Sequence, residues 1–132
     1  MIVVDTSVVV AIVRHEVEEP IFVEILDQNS ATIMSAVSYV EAHMVVAGRR
    51  SQADAKRLEA LIAALGIEIA DVTYEQAGLA IRAFLAYGKG RHPAGLNLAD
   101  CFGYALAKSR GAPLLFKGDD FSRTDIALAW RP

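Results

Sequence analysis

The chain has 132 residues, of which 54% are hydrophobic, and a formal net charge of −3. This length is typical of one domain. The single cysteine excludes an intrachain disulfide. The negative net charge excludes a protein that holds nucleic acid mainly through a basic surface. Because the N-terminal residues have no basic signal-peptide segment and no apolar run reaches the roughly 20 residues that span a bilayer, we expect a cytoplasmic protein without a membrane segment.

Strand and helix patterns alternate along the whole chain. In chain order we predict a strand over 2–4, a helix to about 15, a helix over 20–28, a strand over 31–34, a helix to about 47, a helix over 51–65, a strand over 67–72, a helix over 73–87, a helix over 98–110 and a strand over 113–116. Residues 88–96 form the one clear loop. This alternation predicts an α/β fold whose central, mainly parallel sheet is flanked by helices.

Polar residues stand where these helices should begin, and a capping side chain fixes the first turn of a helix. The candidate caps are Thr6 or Ser7, Ser35, Ser51 with Asp54, Thr73 with Gln76, and Asn97. The two pairs have the spacing of a capping box. Capping by Ser35 places Glu41 two turns into its helix, and capping by Asn97 places Asp100 in a first turn.

Acidic residues occupy related positions in this pattern. Asp5 follows the first strand, and Asp119 and Asp120 follow the last one. If these two strands are neighbours, their carboxylates share one crevice, because ligands of open parallel sheets bind at the carboxyl ends of the strands. Glu41 lies on an apolar stripe, where a carboxylate is costly to bury without a partner. Taken singly, Asp5, Asp100 and the Asp119–Asp120 pair also fit plain structural roles at helix ends or in a turn.

A cluster of four carboxylates would need a counter-charge. Two unit charges 4 Å apart interact by about 4 kcal/mol at an effective dielectric constant of 20, so such a cluster takes up protons or a divalent cation. An all-oxygen set suits Mg²⁺ or Mn²⁺ better than Zn²⁺. The three histidines have no metal-ligand spacing, and no histidine base is suggested near Cys101. A hard cation would also attract a substrate phosphate to an acidic protein.

Five segments of the sequence resemble the VapC-type PIN domain. They are residues 3–7 (VVDTS), 38–41 (SYVE), 96–101 (LNLADC), 114–121 (LLFKGDDF) and 122–126 (SRTDI). The resemblance covers essentially the whole chain, and the segments occur in the order and spacing of that family. Several such motifs together are more specific than any one of them alone. It implies a PIN-like three-layer fold in one domain over residues 1–132, and a metal-dependent endoribonuclease that hydrolyses phosphodiester bonds in RNA.

The resemblance also implies a partner and a division of roles. The chain would be the toxin of a type II toxin–antitoxin pair, inhibited by a VapB-like antitoxin. Asp5, Glu41 and Asp100 are assigned to the acidic site, while Asp120 is favoured as the fourth acid and Asp119 is kept as a supporting ligand. Mg²⁺ would be held by Asp5, Asp100 and Asp120, and Glu41 would orient the attacking water.

Two further groups of residues are expected around this site. Thr6, Ser7 and Asn97 could hydrogen-bond the carboxylates, which is compatible with capping. Contacts with RNA phosphates would come from basic residues. The candidates are Arg49 with Arg50, Lys56 with Arg57, Lys89 with Arg91 and His92, and Lys117. The basic loop over 88–95 is the first choice, because it adjoins the helix of Asp100.

Two other functions stay open at this point. A Mg²⁺-dependent phosphoaspartyl phosphotransferase or phosphatase would use Asp5 as its nucleophile, but Ser7 stands where such enzymes usually carry a second aspartate. A non-catalytic protein-binding module is disfavoured by the intact acid set. The large apolar fraction predicts a homodimer or a dedicated protein partner, and we expect the apolar helices over 8–28 and 51–65 to receive it.

Overall fold

The computed structural model describes residues 1–48 and 52–132. Strands and helices alternate in the predicted order. They are β1 Ile2–Val4, α1 Thr6–Val13, α2 Glu19–Gln28, β2 Thr32–Ser35, α3 Ala36–Ala47, α4 Gln52–Ala64, β3 Ile67–Ala70, α5 Tyr74–Tyr87, α6 Leu98–Arg110 and β4 Leu114–Leu115, followed by a 3₁₀ turn over Phe121–Arg123. Among the described helices, none is long and apolar enough to cross a membrane. The capping box predicted from Ser51 and the basic pair Arg49–Arg50 lie outside the described residues.

The four strands form one parallel sheet in the order β3-β2-β1-β4. β1 is therefore an inner strand, with Val3 beside Ile33 on one side and beside Leu114 on the other. The first strand, β1, and the last strand, β4, are therefore neighbours. Because they are parallel, Asp5 and the segment after β4 leave the sheet at the same edge.

Helices cover both faces of this sheet. One face packs against α1 to α4 through a cluster that includes Val4, Phe22 and Leu58. The opposite face packs against α5 and α6 through a cluster that includes Val3 and Leu106. Successive side chains of a strand point to opposite faces, which is why the neighbours Val3 and Val4 belong to different clusters. The predicted three-layer α/β fold is confirmed.

The start and end of α1 differ from the prediction. Asp5, with an extended backbone, is the N-cap, and its carboxylate accepts the Ser7 N–H at 3.0 Å. Thr6 and Ser7 lie inside the helix, and Thr6 Oγ1 instead donates to the Ser38 carbonyl at 2.9 Å. The helix ends at Val13 because His15 takes a positive φ of 52°, which a right-handed helix does not accommodate.

The other described caps follow the sequence more closely. Ser35 accepts the Val37 N–H and opens α3, and Thr73 accepts the Gln76 N–H and opens α5. Asn97 opens α6 with a full capping box. These caps fix the first turns of α3 and α6, the two helices that carry the remaining acidic candidates.

Candidate active site

Asp5 lies at the carboxyl end of β1 and is only 5% exposed. Its Oδ2 accepts the backbone N–H of Ser7 at 3.0 Å and the Ser7 hydroxyl at 2.6 Å. Its Oδ1 is buried and has no hydrogen-bond partner among the described residues. Burial raises the pKa of Asp5, the hydrogen bonds from Ser7 oppose that rise, and the charge of Glu41 adds to it. Asp5 is thus a buried carboxylate with one oxygen held and the other unsatisfied.

Asp100 is placed by the capping box at the start of α6. Its N–H donates to Asn97 Oδ1 at 2.8 Å, and its own Oδ2 accepts the Asn97 N–H at 3.0 Å. Burial raises the pKa of Asp100 to about 7, the hydrogen bond from Asn97 opposes the rise, and the charges of Asp5, Glu41 and Asp120 add to it. The carboxylates at the end of β1, on α3 and after β4 therefore all act on the one at the start of α6.

Glu41 enters the site from α3. It is half-buried, and Asn97 Nδ2 donates to its Oε2 at 3.4 Å. Asn97 therefore contacts two acids at once, holding Asp100 through its backbone and Glu41 through its side-chain amide. These hydrogen bonds place Asn97 beside two of the candidate acids, while its supporting role stays a prediction.

The two acids after β4 have different positions. Asp120 lines the cleft that also contains Asp5 and Asp100. Both side chains are exposed, but Asp119 does not line the cleft, and its backbone carbonyl accepts the Ser122 hydroxyl at 2.6 Å. Of the two candidates for the fourth acid, the cleft lining therefore includes Asp120 and not Asp119.

The cleft itself has a volume of about 270 Å³. Its lining includes the four acids and the three residues expected to support them: Asp5, Glu41, Asp100, Asp120, Thr6, Ser7 and Asn97. Ser7 also links two sides of it, because its hydroxyl donates to Asp5 and accepts the Lys117 N–H at 2.9 Å. The structure thus brings together residues separated by more than a hundred positions in the chain.

The donor set fits a hard divalent cation held partly through water. Within residues 1–48 and 52–132, no three acidic, histidine or cysteine side chains already converge on one metal position. The inward acids are turned towards hydrogen bonds with Ser7 and Asn97 instead. Yet Asp5 Oδ1 has no hydrogen-bond partner among the described residues, and burial together with the charges of Asp5, Glu41 and Asp120 raises the pKa of Asp100. Mg²⁺ keeps several waters and needs few direct protein ligands, so this charge and spacing suit it.

One basic side chain, Lys117, stands among the residues that line the cleft. Its Nζ lies 3.2 Å from Glu16 Oε1 and 3.0 Å from Glu18 Oε2, contacts that the sequence did not suggest. Contact with Glu18, and then with Glu16, raises the pKa of Lys117. The lysine is therefore paired with carboxylates outside the acidic cluster.

The loop over 88–95 contributes no residue to the cleft lining. Arg91 donates to the Leu85 carbonyl at 3.3 Å and lies over the Phe84 ring at 5.8 Å. His92 packs edge-on against Tyr87. The loop folds back on α5, so its position does not support it as the first choice for contacting the scissile phosphate.

The expected partner surface agrees only in part with the exposed apolar side chains. In α1 every residue except Ser7 is buried, because α1 packs against α2, α3 and α4. Seven exposed apolar side chains lie on α3, on α5 and at the start of α6, and we name them the α3–α5 apolar patch: Val40, Met44, Val45, Ile81, Phe84, Leu85 and Leu98. Within 8–28, α1 itself is therefore not an exposed apolar surface, and binding of a partner to the rest of 8–28 and to 51–65 stays a prediction.

Comparison with known proteins identifies relatives over nearly the whole chain. Residues 2–127 match the family model of the PIN domain. Ribonuclease VapC30 of Mycobacterium tuberculosis is 40% identical over 130 residues, which cover 98% of this chain and 99% of the relative. The crystal structure of VapC20 from the same organism, a toxin that cleaves the sarcin-ricin loop, has a TM-score of 0.79 at 18% identity and covers 100% of both chains.

A second solved structure has the same fold. VapBC2 from Rickettsia felis, bound to a DNA fragment from its promoter, gives a TM-score of 0.75 at 16% identity, covering 97% of this chain and 96% of that one. At such identities the two structures establish the fold, and the family rests on the match to the PIN domain and to VapC30.

Proposed function

Since the chain belongs to the PIN-domain family of VapC-type ribonucleases, we propose that it is a metal-dependent endoribonuclease that hydrolyses phosphodiester bonds in RNA, in one PIN-like domain over residues 1–132. One observation carries this proposal. Four carboxylates from distant parts of the chain line a single cleft at the carboxyl edge of a parallel sheet. They are Asp5, Glu41, Asp100 and Asp120.

Asp5, Asp100 and Asp120 are proposed to hold Mg²⁺, for which Mn²⁺ could substitute. The bound cation would supply Lewis-acid stabilisation of the phosphate and a water of lowered pKa. Ser7 keeps Asp5 oriented through two hydrogen bonds, and Asn97 does the same for Asp100. These contacts reduce the reorganisation needed when substrate arrives.

Glu41 is proposed to orient the water that attacks phosphorus. It stands on α3, on a different element from the three metal-holding acids, and Asn97 restrains one of its oxygens. Attack forms a bond from the water oxygen to phosphorus and breaks the bond to the leaving ribose oxygen. Glu41 would accept a proton from the water, and solvent in the open cleft would return one to the leaving group.

We further propose a VapB-like antitoxin as the partner and the cytoplasm as the location. The Rickettsia protein of the same fold was solved together with its VapB partner. The buried, unpaired thiol of Cys101 is compatible with a reducing compartment. The α3–α5 apolar patch offers the surface on which a homodimer is proposed to form.

The test is RNA cleavage by purified protein, with Mg²⁺ and after chelation. Wild type should cleave only with the cation, and Asp5→Asn should lose activity by at least about 100-fold, because it removes a charged ligand while preserving shape. Asp27→Asn, at an exposed position of α2, is the matched control and should cleave as wild type does. Equal cleavage by wild type and Asp5→Asn would refute the site. Base-labile phosphate bound to Asp5 would favour the phosphoaspartyl alternative.

A further inference from the structure

Two buried polar atoms near the acidic cleft have no hydrogen-bond partner among the described residues. They are Asp5 Oδ1, at the end of β1, and Ser38 Oγ, in the first turn of α3. Asp5 is 5% exposed and Ser38 is 0% exposed, so bulk solvent satisfies neither atom. Ser38 did not stand out in the sequence beyond its place in the SYVE segment.

Gly103 of α6 shows that the two atoms share one space. A Cβ added to Gly103 would lie 3.7 Å from Asp5 Oδ1 and 3.8 Å from Ser38 Oγ. These are ordinary van der Waals distances, so a methyl group on Gly103 would contact both atoms. A water is not bonded to the Cα and must stand farther from it than a Cβ would. On this side of Gly103 such a water would lie nearer to the two oxygen atoms, where it can hydrogen-bond to both.

The position of Ser38 is fixed independently of its hydroxyl. Its carbonyl accepts the Thr6 hydroxyl at 2.9 Å, which ties the start of α3 to α1. Asp5 is fixed in turn through its Oδ2 by Ser7. Both unpaired atoms are thus held facing a common space by contacts that do not use them.

We propose that a buried water occupies this space, hydrogen-bonded to Asp5 Oδ1 and Ser38 Oγ, and that Ser38 is a positioning residue for Asp5. More than nine in ten buried polar groups in proteins have a partner, and a buried water needs at least two polar neighbours. With Ser7 on one oxygen and the water on the other, the Asp5 carboxylate is restrained at both ends. The inference rests on the proposed function insofar as Asp5 holds a divalent cation.

The experiment measures Mn²⁺ affinity without RNA, by electron paramagnetic resonance, on folded protein. Gly103→Ala fills the space with a methyl group, and Ser38→Ala removes the hydroxyl. Each should weaken Mn²⁺ binding by about tenfold, the low end for losing a group that orients a metal ligand. The double variant should be no weaker than the single ones, because both changes remove the same bridge.

Two matched variants separate this effect from a general effect of a larger side chain. Gly103→Ser adds a hydroxyl that can hydrogen-bond in place of the water and should bind Mn²⁺ within about threefold of wild type. Gly78→Ala, on α5 with nothing within 4 Å of the added Cβ, should leave the affinity unchanged. Thermal melts confirm that each variant is folded at the measuring temperature, and if Ser38→Ala does not fold, the Gly103 pair decides alone.

The outcomes are distinguishable. Absence of Mn²⁺ binding by wild type would overturn the proposed function itself. Normal wild-type binding with unchanged affinity in Gly103→Ala would overturn the water bridge, as would equal losses in Gly103→Ala and Gly103→Ser. Loss in Gly103→Ala with recovery in Gly103→Ser would support it.

Discussion

Removing the charge of Asp100 should stabilise the metal-free protein while abolishing its proposed activity. Burial and the charges of Asp5, Glu41 and Asp120 raise the pKa of Asp100 from 3.8 to about 7. In Asp100→Asn an amide oxygen remains to accept the Asn97 N–H, so the capping box can survive. The substitution therefore removes repulsion and desolvation without removing the contact that shapes the first turn of α6.

The magnitude follows from the pKa. A rise of about three units at about 1.4 kcal/mol per unit gives an upper limit of about 4 kcal/mol, and we expect about 1–3 kcal/mol because part of the side chain stays solvated. The sign follows from proton linkage. The folded protein binds a proton at Asp100 more tightly than the unfolded chain does. The contribution of this proton to the free energy of unfolding is therefore complete below about pH 4 and is lost as the pH rises towards 7. The advantage of Asp100→Asn should thus be small near pH 4 and full at pH 8.

Urea denaturation in EDTA at several pH values measures this difference. Added Mg²⁺ should reverse the order at pH 8, because a cation that binds the native state stabilises wild type more than the variant. The reasoning would be refuted if Asp100→Asn were less stable than wild type at pH 8 in EDTA. A stability difference that does not change with pH would refute it equally.

Four further variants probe the cleft and the α3–α5 apolar patch. Asp120→Asn should lower the cleavage rate by about 100-fold and Asp119→Asn by less than about threefold, because only Asp120 lines the cleft; equal losses in a cleavage assay would contradict this assignment. Lys117→Met should lower the urea midpoint modestly at low salt and less at high salt, because it removes paired surface charges; a difference independent of salt would speak against the ion pairs. Phe84→Asp should prevent self-association, measured by light scattering, because it places a charge at an exposed position of the α3–α5 apolar patch; assembly like that of wild type would exclude Phe84 from the interface.

The fold was predictable because local patterns and topology agree. Short β-branched runs separated by capped helices specify parallel strands. Asp5 and Asp120 each follow a strand, so the pairing of β1 with β4 is enough to bring them to one edge. Asn97 and Asp100 have the capping-box spacing, so the placement of Asp100 follows from local sequence alone.

The errors came from interactions that periodicity does not encode. The sequence of α1, TSVVVAIV, is apolar on every side, and such a helix is buried in the core rather than offered to a partner. The position of the α3–α5 apolar patch depends on which helix faces stay exposed after the helices have packed on both faces of the sheet. The bridge position of Ser38 depends on a close approach of α3 to α6 at Gly103, which needs coordinates.

The ion pairs of Lys117 bear on why the site should keep its affinity for a cation. A lysine in an acidic cleft could neutralise the carboxylates itself, and a protein-supplied counter-charge would then compete with the metal. Here Glu16 and Glu18 hold the Lys117 amine, so it is paired outside the acidic cluster. Burial raises the pKa of Asp5 and of Asp100, and repulsion between neighbouring carboxylates adds to the rise. Bound Mg²⁺ would relieve that repulsion and present positive charge to a phosphate, which explains how a chain of net charge −3 could act on a polyanion without a basic surface.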